Sequence, residues 1–336
     1  MKNIFLILTL IIGLISCENF DVDHPDFKYT SGFFPYQFPV RTLVLGDYIY
    51  DNTNDNAHKF VISVAMGGVY ENTKDRSFDI EVDESLCNNI WFSATDQVKV
   101  LPSNYYTLSS TNKIVIPKGK MNGGIEVQLT DAFFNDPLAI TNTYVVPIRL
   151  KASNDVDTIL SGNSPNPSAD VRIASQWNIA PKNFTMFAVK FINEYHGTYF
   201  QYGSNKVFDG AGVLLKDSAY STQYVENNPT AKLATTGRNQ VSFTTALRSK
   251  IMTGSVNMLL NFSGNNCTIA EAPGSPYTIT GTGEFKSKAY SWGNKSRDGI
   301  VLKYTVTNAT NKYEANEVLV IRDRGVVMET YSPLTK

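Results

Sequence analysis

Acid–base chemistry needs carboxylates held as a pair, and the chain offers one row of them, Asp79, Glu81 and Asp83, at alternate positions. Hydrolysis of a glycosidic bond uses two such groups flanking a cleft. The same alternation puts Phe78, Ile80 and Val82 on the opposite face of a strand, so the acids read as its solvated side. Glu314 and Glu317 stand at odd spacing within another strand-like run and make no better pair. Neither a Gly-x-Ser-x-Gly nucleophile motif nor a Gly-rich phosphate loop occurs. The histidines, His24, His58 and His196, are scattered, and no Cys-x-x-Cys is present, so no metal site and no cofactor are expected. His196, at a strand start between Tyr195 and Gly197, reads as a structural hydrogen-bonding group. Asp51, Asn52, Asn54, Asp55 and Asn56 carry calcium-type oxygens without the Gly and distal Glu of a calcium loop, which makes them a polar surface turn.

Aromatic side chains in polar segments carry a stronger signal. The C–H faces of a sugar ring pack on Trp and Tyr, while Asn, Asp and Arg bond its hydroxyls. Tyr290, Trp292, Asn294, Arg297 and Asp298 share one Gly-containing polar stretch, read as a loop, and Tyr195, Tyr199 and Tyr202 form a second group, of which Tyr199 is expected to point inward. The glycan-binding candidates are therefore Trp292, Tyr290, Asn294, Arg297, Tyr195 and Tyr202, with Trp292 as a plug of the barrel end as the competing reading.

The elements that must position these groups are strands. Residues 38–45, 59–66, 77–82, 105–108, 113–116, 124–129 and 144–150 are short alternating or β-branched runs separated by turn-formers, the pattern of an immunoglobulin-like sandwich over 33–160. Asp131 to Pro137 reads as one helical turn stopped by the proline. Residues 161–183, rich in Ser, Asn and Pro, are expected to be a linker. From 184 to 336 about ten longer strands follow in an up-and-down meander, which removes its open edges by closing into an antiparallel barrel. Ile300, Leu302, Tyr304 and Val306 would line its interior. The expected fold is all-β, in two domains.

Charge excludes some partners. The formal net charge is −1 and only 18% of residues are charged, so nothing draws the chain to nucleic acid. Aromatics reach 12%, which suits β-sheet. Cys87 and Cys267 fall in different expected domains and are read as two separate thiols.

At the N-terminus, Lys2 precedes about a dozen apolar residues ending in Leu14, Ile15, Ser16 and Cys17, the layout of an export signal over 1–16. Its ending resembles the lipobox of bacterial lipoproteins, which implies acylation of Cys17. Glu18, Asp21, Asp23 and Asp26, in a tether over 17–32, resemble the acidic signal that sends Bacteroidetes lipoproteins to the outer face of the outer membrane. The resemblance implies a lipid-anchored, cell-surface location.

Residues 38–46, 66–76, 101–106 and 115–119 resemble the N-terminal domain of Bacteroidetes surface lipoproteins from polysaccharide-utilisation loci, a glycan-binding or adhesin-like family. Residues 189–199 are similar to the start of their second domain, and Gly197-Thr198-Tyr199 resembles the Gly-x-Trp opening of lipocalins. The resemblance implies a lipocalin-like (calycin-like) barrel, a glycan ligand and a SusC/SusD-type importer as partner. Some relatives carry a chitinase-like hydrolase instead, but its Asp-x-x-Asp-x-Asp-x-Glu run is absent here. Asp157-Thr158-Ile159 and Asp217-Ser218-Ala219 match the Bacteroidetes O-glycosylation pattern, which makes Thr158 and Ser218 candidate acceptors. The expected role is non-catalytic capture of oligo- or polysaccharide. The alternatives are an adhesin-like interaction protein, a glycoside hydrolase whose acids come from distant strands, and a carrier of a small apolar ligand.

Overall fold

The computed structural model describes residues 26–336. The export signal, Cys17, His24 and most of the acidic tether lie outside the described residues.

Two stacked sheets form the first unit. One runs, in order, Thr158–Ile159, Ser31–Phe33, Lys59–Gly67, Asn122–Leu129 and Tyr106–Leu108. The other runs Glu329–Thr330, Pro39–Val44, Phe184–Ile192, Tyr144–Ala152, Arg76–Val82 and Lys113–Ile116, with Lys99–Val100 beside Tyr144–Ala152. Alternation sets the packing: Phe60, Ile62 and Val64 on one sheet meet Phe78, Ile80, Ile114 and Ile116 on the other in one apolar core. The helical turn forms at Asp131–Asn135 and stops ahead of Pro137.

Phe184–Ile192 departs from the sequence expectation, which gave it to the barrel. It pairs antiparallel with Tyr144–Ala152 and parallel with Pro39–Val44, in the middle of a sandwich sheet. Val189 and Phe191 enter the inter-sheet core, while Phe184, Met186 and Ala188 enter a second cluster on the outer face. A strand covered on both faces has a nearly continuous apolar sequence, which shows that it is buried but not which sheet buries it. The stretch 161–183 is consequently a loop folded onto the sandwich: Arg172 donates to the carbonyls of Leu86 and Asn88 at 3.0 and 2.7 Å. The chain end also returns to the sandwich, where Glu329–Thr330 pairs with Pro39–Val44.

The second unit is a closed, eight-stranded antiparallel barrel. Its strands are Gly197–Asp209, Thr230–Gly237, Gln240–Ala246, Ser255–Ser263, Asn266–Glu271, Thr278–Trp292, Lys295–Thr307 and Asn311–Asp323, the last pairing back onto the first. Leu214–Tyr220 hangs from the far half of the first strand as a ninth. Ile300, Leu302, Tyr304 and Val306 face inward, all at most 3% exposed. Cys87 and Cys267 are free and buried in separate cores, and burial pushes each thiol up to about 12.

Candidate functional site

The segment read as a loop around Trp292 is the tip of a long hairpin. Trp292 opposes Lys295, and the two residues between them, Gly293 and Asn294, both have φ of +57°. That is the two-residue turn whose twist matches a β-ribbon, and Gly and Asn adopt positive φ at low cost. The register slips between Lys286 and Tyr290, and the tip folds over the outside of the barrel. Tyr290 lies over Gly299, where a Cβ would sit 2.4 Å from its ring, so only glycine allows this packing. Trp292 meets Phe200 edge-on at 5.3 Å and donates Nε1–H to the Ile321 carbonyl at 2.9 Å. The Arg297 guanidinium stacks on Trp292 at 4.1 Å. Burial and the neighbouring Tyr290 raise the pKa of half-buried Tyr202. Tyr202, Tyr290, Trp292 and Arg297 thus gather on one outer face, with Asn294 exposed at the turn.

Tyr195 does not join them. It is 4% exposed, stacked on Phe262 at 3.5 Å with its hydroxyl on the Gly264 carbonyl, and it plugs the barrel. The reading of Tyr195 as a ligand contact is therefore corrected. Placed just before the first barrel strand, it enters with the chain and drops into the barrel end.

Beside the hairpin, a cleft of about 270 Å³ opens between the two units, just below the usual range for ligand pockets. One wall is the sandwich loop bearing Asp47, Tyr48, Ile49 and Tyr50; the other carries Arg297, Asp298 and residues 321–327, with Glu194 and Tyr199 between. Tyr48 and Tyr50 meet edge-on at 5.4 Å, and Tyr50, Ile49 and Val327 are 68%, 71% and 70% exposed. Three exposed apolar side chains at one rim are the kind of patch that marks a binding surface.

The loop is fixed from below. Gly46 turns it with φ of +82°, at a point where a Cβ would stand 2.5 Å from that of Glu194. Asn52 Nδ2 donates to the carbonyls of Val44 and Gly46 at 2.8 and 2.7 Å, and Asn56 Oδ1 accepts from the Gly46 amide at 2.8 Å. Asp55, buried, accepts from the Val44 amide and pairs with Arg41; burial is the largest influence on its carboxyl and raises its pKa. The polar turn 51–56 is a clip for the cleft loop.

The two units are locked where the chain crosses. Arg324 is 6% exposed and donates to the carbonyls of Asp47, Leu45 and Asn193 at 2.9, 3.0 and 2.5 Å, joining the cleft loop, the entry connector and the exit from the barrel. Lys288 of the hairpin pairs with Asp47, and Arg238 reaches Asp131 at 2.7 Å. His196 Nδ1 accepts from the Thr235 amide at 3.0 Å; burial, then Arg324 and Lys232, lower its pKa to about 4.

The acid row of the sandwich is spent on neighbours: Asp79 on Lys113, Glu81 on Lys151 and Asp83 on Arg149. Glu317 faces the barrel interior at 1% exposure, where it accepts from Tyr220 at 2.6 Å and Gln201 at 2.9 Å, and burial raises its pKa. Thr158 is exposed in an edge strand, whereas Ser218 is half-buried opposite Asn205.

Of the six aromatic and polar candidates, only Arg297 lines the cleft. Sequence reasoning missed Tyr48, Ile49, Tyr50 and Glu194, although residues 46–52 have the same aromatic-in-polar composition that singled out 290–298.

Residues 194–325 match the model of a domain of unknown function, DUF5627, and residues 27–157 match a second model, of an N-terminal domain. A Bacteroides ovatus protein of unknown function, solved by crystallography, is 34% identical, with a TM-score of 0.84 over 93% of this chain and 100% of its own. The chain belongs to the same family. Its DUF5627 match begins after Phe184–Ile192, in agreement with that strand's place in the sandwich. An auxiliary nutrient-binding protein from Bacteroides thetaiotaomicron is 12% identical over 84% of this chain and 90% of its own, at a TM-score of 0.41. A second B. ovatus protein of unknown function is 14% identical over 90% and 100%, at 0.39. Neither overlays closely enough to inform the cleft. No curated protein matches the chain.

Proposed function

We propose that this protein is a non-catalytic glycan-binding lipoprotein of the outer-membrane surface, in which the sandwich carries the barrel and the interdomain cleft holds an oligosaccharide for a SusC/SusD-type importer. The observation that carries the reading is the cleft itself: Tyr48 and Tyr50 stand against Arg297, Asp298 and Glu194 in a loop clipped and locked before any ligand arrives. Aromatic faces for the sugar's C–H groups, charged groups for its hydroxyls and a wall that need not be ordered on binding are the requirements of such a site. The lipobox-like ending at Cys17 supports the surface location.

The test is affinity electrophoresis of the chain lacking residues 1–17 in gels containing polysaccharides. Retardation that Tyr48→Ala and Tyr50→Ala abolish supports the reading. Retention by no polysaccharide, or retention indifferent to both substitutions, defeats it, and release of reducing sugar by the purified chain would replace it with a hydrolase.

A further inference from the structure

Arg297 is held but not spent. Its guanidinium rests on Trp292 at 4.1 Å, its Nε is buried without a partner, and it forms no ion pair among the described residues. Glu194, between the two walls, is also without an ion pair among the described residues, although its carboxylate lies close enough to the Tyr195 hydroxyl to add to burial in raising that group's pKa. The remaining charges are committed. Asp47 is held by Lys288 and Asp323 by Arg322; Asp298 accepts from the Lys288 amide at 2.8 Å; Arg324 is used on three carbonyls. Counting Lys288, four basic and four acidic side chains meet at the cleft, so their formal charges cancel.

We infer that the cleft reads an uncharged sugar, with Arg297 donating to one hydroxyl and Glu194 accepting from another while the ring lies against Tyr48 and Tyr50. The inference rests on the proposed function and names its ligand class. An anionic sugar that paired with Arg297 would set its charge against Glu194 and Asp298, and a cationic sugar that paired with Glu194 would set its charge against Arg297 and Arg324, so either brings one unmatched charge to a cleft whose own charges cancel. In a half-enclosed site an unmatched charge is costly. Hydroxyls, each both donor and acceptor, satisfy Arg297 and Glu194 together. Trp292 becomes the seat of the guanidinium rather than the platform of the sugar: a planar cation stacked on an indole is already oriented for directional hydrogen bonds.

The experiment is a glycan array of neutral, uronate-bearing, sulfated and amino oligosaccharides probed with the chain lacking residues 1–17, followed by titration of each positive at about 0.05 and about 0.5 M salt. Positives confined to neutral glycans, with affinity changing less than about twofold between the two salts, support the inference. Arg297→Gln and Glu194→Gln should each weaken such binding about tenfold or more, the worth of a hydrogen bond to a charged group. Arg297→Lys, which keeps the charge and loses the planar fork, should weaken it as well. Thermal melts equal to the parent's identify variants that are folded, and Glu194→Gln, on an exposed side chain, serves if Arg297→Gln is not among them. Binding of a uronate or amino glycan that Tyr50→Ala abolishes and salt weakens would overturn the inference while leaving the cleft as the site. Unaltered affinity in folded Arg297→Gln and Glu194→Gln would overturn it too, and an array without positives would overturn both this inference and the proposed function.

Discussion

Replacing Arg324 by Met tests whether the cleft is built in advance. The guanidinium spends its donors on three backbone carbonyls, of Leu45, Asp47 and Asn193, which lie on the two segments that frame the cleft. A hydrogen bond to a charged group contributes about 1.5–3 kcal/mol, so the three-bond clamp is worth roughly 5–9 kcal/mol gross. Against this stands the burial of a cation whose Nε has no partner and whose pKa burial lowers. Removing that penalty returns several kcal/mol, and Met fills much of the volume. The net expectation is a loss of about 3 kcal/mol. At roughly 2–4 °C per kcal/mol for a unit of this size, Tm should fall by about 6–12 °C in a melt followed by fluorescence. Hydrogen exchange should rise in residues 45–50 and 193–196 before it rises in the sandwich core. A Tm within about 1 °C of the parent's, with exchange in those segments unchanged, would refute the claim that Arg324 sets the cleft's walls.

Four further outcomes follow from the packing. His196 has its folded pKa lowered to about 4, so its neutral form stabilises the protein above the unfolded value near 6.5; that stability, roughly 3 kcal/mol, is lost as pH falls from about 6.5 to about 4, and His196→Gln should flatten this limb in melts across that window. Glu317 shifts the other way: burial raises its folded pKa and favours the protonated form, stability that is lost as pH rises through the folded value, so Glu317→Gln should gain relative to the parent as pH rises above the ordinary carboxylate range in the same assay. Tyr195→Ala should cost about 3–5 kcal/mol in denaturant unfolding, because it empties the stack on Phe262, whereas Tyr195→Phe should bind glycan like the parent. Cys87 and Cys267 should react with an aromatic disulfide reagent only as fast as the chain opens, since burial holds both thiols protonated.

Much of this architecture was legible in the residues, for identifiable reasons. Alternation such as Ile300, Leu302, Tyr304 and Val306 has a single reading in a barrel wall, and Asp79 and Glu81 declared their solvated face through Phe78 and Ile80, whereas Asp83 falls just past the strand, caps the turn Glu84–Cys87 and pairs with Arg149. What stayed hidden depends on partners distant in sequence. The buried run Phe184–Ile192 carries no mark of which sheet will cover it, and its parallel neighbour Pro39–Val44 lies far upstream. The Gly293-Asn294 pair is a hairpin signal in its own right; reading it as loop composition turned two strand ends into a surface loop and left Trp292 as a free platform. The cleft itself is made by two segments from opposite ends of the chain, residues 47–50 and 321–327, brought together through Arg324, and no local pattern encodes such a meeting.

The most direct test of the proposal that the cleft binds glycan is a crystal structure of the protein soaked with the oligosaccharide it retains best. The sugar ring is expected between Tyr48, Tyr50 and Arg297, with hydroxyls on the Arg297 guanidinium and the Glu194 carboxylate. A sugar seated elsewhere, whether inside the barrel beside Glu317 or on the outer face over Tyr202 and Tyr290, with the cleft empty, would contradict the account.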